Sequence, residues 1–173
     1  MPPSPDPVDM GPRGKYHMSR GEDERFWGNQ GAGILLIAKD TGRLLLVLRS
    51  PEVNEPNTWG LPGGAIEDSE NPSSAARREA REEVGFSGNL QLYPAYVFAS
   101  KAFRYHNFIG VIDREFDPSL DWENSDADWF DLDDLPSPLH FGVQALFQNS
   151  RDLISSIVDE ALLREAVRLT LGS

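Results

Sequence analysis

No cysteine occurs in the 173 residues. Its absence excludes disulfides, thiolate catalysis and zinc sites built on sulfur ligands. Long apolar runs are missing too. The longest, Ile34–Ala38 and Leu44–Leu48, have strand length and fall far short of the ~20 residues of a membrane-spanning helix. Basic residues are scarce: 16 Lys and Arg against 28 Asp and Glu leave a net charge of −12. Between Asp113 and Pro136 ten acidic residues stand beside one basic residue, Arg114. A duplex-binding protein needs a basic footprint, so extensive nucleic-acid contact is disfavoured. An anionic substrate stays compatible with this charge if divalent cations bridge it to the acids. Most of these carboxylates read as a solvated, solubilising surface. Met1–Pro12 lacks both the positive stretch and the apolar stretch of a secretory signal, so a cytoplasmic location is expected.

What is present suits one globular domain: 39% hydrophobic and 25% charged residues, in a chain long enough for a real core and short for two. Residues 1–28 carry five prolines and four glycines without a period. They are expected to form a flexible or loosely docked tail, joined through Phe26 and Trp27 to a domain over 29–173. Ala32–Ala38 and Arg43–Arg49 are β-rich runs joined by Asp40-Thr41-Gly42, hairpin-turn chemistry, and their continuous apolar character predicts strands covered on both faces. Ser50–Thr58 reads as a loop, and the Pro and Gly of Trp59–Gly64 predict irregular backbone. Leu90–Phe98, Phe103–Ile112 and the short Asp128–Asp131 read as strands. From Asp152 to Leu171, apolar residues at 153, 154, 157, 158, 161 and 162 predict an amphipathic helix packed on the sheet. Strands, a helix, more strands and a last helix make an α/β fold, a mixed sheet between helical layers.

The helix in the middle is the best marked. Asn71 suits the N-cap, Pro72 the first helical position, and Gly85 the left-handed position that ends it. On a wheel of 100° per residue, Glu83 lies about 40° from Glu79 and Glu82 about 60° to the other side. Three like charges thus share one face, and Glu82 and Glu83 sit near the helix C-terminus, where the dipole disfavours anions. Arg77, Arg78 and Arg81 offset part of this repulsion. A divalent cation would neutralise the face by direct coordination, and hard oxygen ligands favour Mg²⁺ or Mn²⁺. An exposed acidic helix laced by Arg–Glu pairs is the plainer alternative, and the carboxylates alone leave both open.

The residues around the helix add a resemblance. Gly64, Glu70, Arg78-Glu79, Ala80, Glu82-Glu83, Gly85 and Phe86 stand at the spacing of the Nudix box, with all seven fixed glycine and charged positions filled. Ala80 and Phe86 depart mildly from the usual branched aliphatics. Trp59–Gly64 resembles the segment that leads into the box, and Glu123 with Trp129-Phe130, Leu132 and Leu135-Pro136 resembles the family's late loop and strand. The resemblance covers roughly residues 32–136. It implies a Nudix-type α/β/α sandwich with a mixed β-sheet, and a magnesium- or manganese-dependent hydrolase cutting X–P–O–P–Y, a nucleoside diphosphate linked to another moiety. By the same resemblance Glu79, Glu82 and Glu83 are metal-binding carboxylates, one of them able to act as base. Glu123 is a further ligand or the general base, with Asp121, Asp126 and Asp128 as competitors. Glu70 and Arg78 support the ligands, and Gly64 lets the backbone turn tightly or offers a carbonyl to metal.

The substrate is not named by these residues. Arg49, Trp59, Phe103, Tyr105 and His140 are candidates to meet a base or phosphate; Trp27, Phe141, His106, Lys101 and Arg104 are weaker ones. A small nucleotide-type molecule is the expected partner, and the resemblance leaves a homodimer open. Two other readings compete: a 5′-end RNA pyrophosphohydrolase, which needs few basic contacts, and a Nudix-fold binding module without catalysis.

Overall fold

The computed structural model describes residues 30–172. The expected N-terminal tail, with Phe26 and Trp27, lies outside them. Among the described residues seven strands and two helices follow one another: β1 (Gln30–Ala38), β2 (Leu44–Arg49), β3 (Trp59–Gly60), β4 (Gly63–Ala65), α1 (Pro72–Val84), β5 (Gln91–Ser100), β6 (Phe103–Ile112), β7 (Asn124–Phe130) and α2 (Phe141–Leu171). The sheet runs β3-β2-β1-β6-β5, with β4 added on β1 and β7 on β2. β1 and β6 are parallel and every other pair is antiparallel, so the sheet is mixed.

The apolar runs of β1 and β2 serve two cores because successive side chains point to opposite faces. Ile34, Leu36, Leu45 and Val47 face α1 through Ala75, Ala76, Ala80 and Val84. Leu35, Ile37, Leu44 and Leu46 face α2 through Val143, Leu146, Phe147 and Ile154. The small residues of α1 let that helix lie close on the sheet. The result is an α/β/α sandwich. Gly42 makes the β1–β2 turn at φ 74, and its N–H reaches Ala38 O at 2.7 Å. Pro94 is tolerated in β5 because that strand lies at the end of the sheet order and its ladder shifts register between Pro94 and Val97.

Helix α1 has the predicted ends. Asn71 accepts the Ser74 N–H at 2.8 Å, Pro72 opens the first turn, and Gly85 closes it at φ 77. Three expectations are corrected. Trp59–Gly64 is not irregular throughout: β3 pairs with Leu48 and Val47, and β4 pairs with Gly31–Gly33. The late strand begins at Asn124 rather than Asp128, because it can pair along the whole of β2. The last helix begins at Phe141, eleven residues before Asp152, and carries a non-helical Ser150. Its start is disguised by His140, an uncommon N-cap, and by Gly142 in the first turn. Among the described residues no helix is long and apolar enough to cross a membrane.

The cap makes a direct check. Asn71→Ala removes the acceptor for Ser74 N–H and should cost about 1 kcal/mol in urea unfolding. An unchanged midpoint would show that the cap adds nothing to this helix.

Candidate active site

The inner face of α1 meets three other pieces of chain: the glycines of β4, the Glu67–Glu70 loop and the entry to β7. Glu79 is 0% exposed, Glu83 4% and Glu123 4%. Such burial is rare for carboxylates and costly unless charge and hydrogen bonds are answered nearby. Glu82 differs, with its side chain 39% exposed. The wheel put all three helix acids on one face; packing divides them into two inside and one at the rim.

Arg78 organises the helix side. Its Nε and Nη2 fork onto Glu70 at 2.8 and 3.0 Å. Nη1 reaches Glu79 Oε1 at 2.9 Å and Glu82 Oε1 at 3.2 Å, and Nη2 also donates to Ala65 O at 2.8 Å. The Glu70 hydrogen bonds, helped by the charges of Glu79 and Glu67, hold the guanidinium pKa above its ordinary value. Glu70 in turn accepts the Glu67 N–H at 3.0 Å, which closes its own loop. Glu70 and Arg78 thus hold each other, and Arg78 holds Glu79.

Glu83 faces the sheet. It accepts Gly63 N–H at 2.9 Å and the Asn124 amide at 3.0 Å. Burial pushes its pKa well above the usual carboxylate range, and Glu79 and Glu123 push it further, while Asn124 opposes them. Glu123 is delivered by sheet register. β7 starts at Asn124 opposite Arg49, beyond the shift between Leu48 and Arg49, and Glu123 O accepts Ser50 N–H at 2.9 Å. Among its competitors, Asp126 and Asp128 stay exposed and Asp121 accepts the Glu123 N–H at 3.1 Å. Asn124, which the sequence reading passed over, is the neighbour that steadies Glu83.

Gly64 is not at a tight turn. It pairs with Ala32 inside β4. The glycine that space requires is Gly63, where a Cβ would strike Tyr105 Oη and lie 2.7 Å from Ala32 O. Tyr105 therefore packs directly on the residue whose N–H holds Glu83. Its phenol is kept protonated by burial and by the negative charges of Glu83 and Glu79.

On its other side Tyr105 lines a cleft of about 510 Å³, open mouth included, with Arg49, Phe98, Phe103, Asn107 and His140. The structure thus brings together four of the five substrate candidates. Trp59 is the exception: it packs edge-on against Phe130 at 5.1 Å, in the core beneath α2. His106 bonds Gln30 at 2.7 Å.

Could these residues hold a hard cation? Among the described residues no three His, Asp or Glu side chains are already drawn into ion-binding geometry. Instead, Glu79 and Glu83 hold protein donors. The donor set still fits: buried carboxylate oxygens from Glu79, Glu83 and Glu123, with Glu82 at the rim, and repulsion that a divalent ion would relieve.

Over residues 29–149 the sequence matches the family model of the NUDIX domain. The chain belongs to the Nudix hydrolase family. It is 30% identical over 138 residues to a Mycobacterium tuberculosis protein provisionally named 8-oxo-dGTP diphosphatase 3, covering 73% of this chain and 64% of that one. The match thus spans less than two thirds of that relative's length. Among solved structures, a MutT Nudix hydrolase from Burkholderia pseudomallei is 26% identical with a TM-score of 0.56, covering 70% of this chain and 96% of that one. A Nudix hydrolase from M. smegmatis, RenU, is 25% identical with a TM-score of 0.62, covering 75% and 86%.

The raised pKa of Glu83 has a consequence for stability. The folded state then holds a proton that the unfolded state releases above about pH 4.5, so this group lowers stability as pH rises beyond that point. In EDTA at pH 7, Glu83→Gln should therefore melt above the parent chain, and the gap should close towards pH 4. A variant that melts lower at pH 7 would contradict the buried charge strain.

Proposed function

We propose that this Nudix protein is a divalent-metal-dependent hydrolase that cleaves the diphosphate bond of a nucleoside diphosphate linked to another moiety. One observation carries the reading: Glu79, Glu83 and Glu123 are buried together, and the charges of Glu79 and Glu123 both push the pKa of Glu83 upward. A structural helix face gains nothing from that strain, whereas a site that takes up Mg²⁺ or Mn²⁺ and a phosphate chain uses it.

When bound, such an ion neutralises phosphate charge and lowers the pKa of the attacking water. The chain's own residues supply the rest. Glu79 and Glu83 offer inward-facing oxygens, and Glu82 offers one at the rim. Arg78 fixes the Glu79 rotamer, and Gly63 N–H with Asn124 fixes that of Glu83. Glu123 stands immediately before β7, near enough for its charge to raise the pKa of Glu83. That position suits it to accept the proton of the water, and Glu83 is the alternative base. No side chain need form a covalent intermediate.

The test is a panel of nucleoside diphosphate derivatives and nucleoside triphosphates with Mg²⁺ or Mn²⁺, with a short triphosphorylated RNA as a further arm. We expect turnover of at least one small molecule, abolished by EDTA and lowered about 100-fold or more in kcat by Glu83→Gln or Glu123→Gln. Activity that survives EDTA, or an unimpaired Glu83→Gln, would refute the assignment. Turnover of the RNA alone would move the substrate to 5′ ends.

A further inference from the structure

The cleft beside Tyr105 contains a polar group that the hydrolytic chemistry does not use. His140 precedes α2, lines the cleft and is 7% exposed. Its backbone N–H donates to Trp59 O at 2.8 Å, which fixes the residue on β3. Its ring caps the helix: Nδ1 accepts the Gly142 N–H at 3.0 Å. The other ring nitrogen, Nε2, is buried with no hydrogen-bond partner.

These contacts decide the tautomer. A nitrogen that accepts a backbone N–H carries no proton, so a neutral ring must hold its proton on Nε2. The ring is neutral at physiological pH, because burial, aided by the nearby positive charge of Arg49, pushes its pKa down to about 3. His140 Nε2–H is therefore an unsatisfied buried donor, at a cost that few groups in a folded protein carry. Phe98, Phe103 and Tyr105 supply flat apolar surface in the same cleft, and Phe141 stacks on the His140 ring at 4.5 Å between centroids. Flat walls with one fixed donor match a planar heteroaromatic ring that carries an acceptor on its edge.

We propose that His140 is a specificity-determining residue: its Nε2–H donates to a carbonyl oxygen or unprotonated ring nitrogen of the substrate's nucleobase, held among Phe98, Phe103 and Tyr105. The inference rests on the reading of the chain as a nucleoside-diphosphate hydrolase and deepens it. Arg49 lines the same cleft and is held by Asn54 O, so it is placed as a fixed cation near the ring or its attached phosphate. Tyr105 joins the two halves of the site, since it walls the cleft and packs on Gly63, the donor to Glu83. A ring seated against Tyr105 would place its phosphates towards the carboxylates.

Binding without catalysis tests this. The full chain is titrated calorimetrically, in EDTA, with AMP, GMP, CMP, UMP and, as the control without a base, ribose 5-phosphate. We expect at least one nucleotide to bind tenfold or more tighter than ribose 5-phosphate. Two substitutions separate the roles of the ring. His140→Asn keeps an acceptor for Gly142 N–H and lacks the far donor; it should weaken that nucleotide about tenfold, or ~1.4 kcal/mol, without affecting ribose 5-phosphate. His140→Gln places an amide donor near the Nε2 position and should stay within about threefold of the parent, even if it melts lower. A readout that needs no variant is the ring ¹⁵N spectrum, which should show the Nε2–H tautomer and a shift on adding the nucleotide. The proposal is overturned if no nucleotide outbinds ribose 5-phosphate, if His140→Asn binds like the parent, or if His140→Gln loses as much as His140→Asn. The hydrolase reading fails separately, by absence of metal-dependent turnover in a chain that still binds nucleotides.

Discussion

The site hangs on one guanidinium. Arg78 reaches Glu70, Glu79, Glu82 and Ala65 O at once, so it ties α1 to the loop before it and to the end of β4. A lysine at this place could not fork onto Glu70 while also holding Glu79, because an ammonium has neither the planar geometry nor the reach in several directions. Two site carboxylates, Glu83 and Glu123, are not among the hydrogen-bond partners of Arg78. Glu83 is instead held by Gly63 N–H and Asn124, with the repelling charges of Glu79 and Glu123 beside it. Under the proposed function, that repulsion is what a divalent ion would relieve.

Much of this is legible in the sequence. The ends of α1 are written locally, in Asn71, Pro72 and Gly85, and helical spacing alone sets Glu79 beside Glu83. The two-faced burial of β1 and β2 is likewise written in their unbroken apolar runs. Glu123 is another matter. Nothing near it in the chain says that it meets Glu83, forty residues away; its place comes from the pairing of β7 with β2, and the sequence pointed to it only through family resemblance. The same holds for the distinction between Gly63 and Gly64. Two adjacent glycines look alike in a motif, and the need for one of them is set by Tyr105, which arrives from β6.

The cleft is not legible in the sequence. Its walls come from β2, β5, β6 and the start of α2, so no local pattern announces it. Trp59 drew attention as an aromatic beside the glycines, but the alternation of β3 turns it towards Phe130 and the α2 core. His140 is a bare candidate in the sequence because the helix that it caps begins eleven residues before its predicted start at Asp152. A histidine cap is weakly signalled, and Gly142 lowers helix propensity where the first turn forms. What settles that turn is tertiary: Val143, Leu146 and Phe147 are buried against the sheet.

The arrangement divides two duties between separate elements. Under the proposed function, charge for phosphate chemistry is gathered on α1 and at the entry to β7, while shape and hydrogen bonding for the rest of the substrate come from β5, β6 and the start of α2. Substitutions at Phe98, Phe103 or His140 can alter what fits the cleft without moving Arg78 or the carboxylates that it orients. Tyr105 does not share that freedom. Its hydroxyl lies where any side chain on Gly63 would have to go, and Gly63 N–H fixes Glu83. A change at Tyr105 therefore alters the wall of the cleft and the backing of a site carboxylate together, so selectivity and rate should be inseparable there and separable at His140.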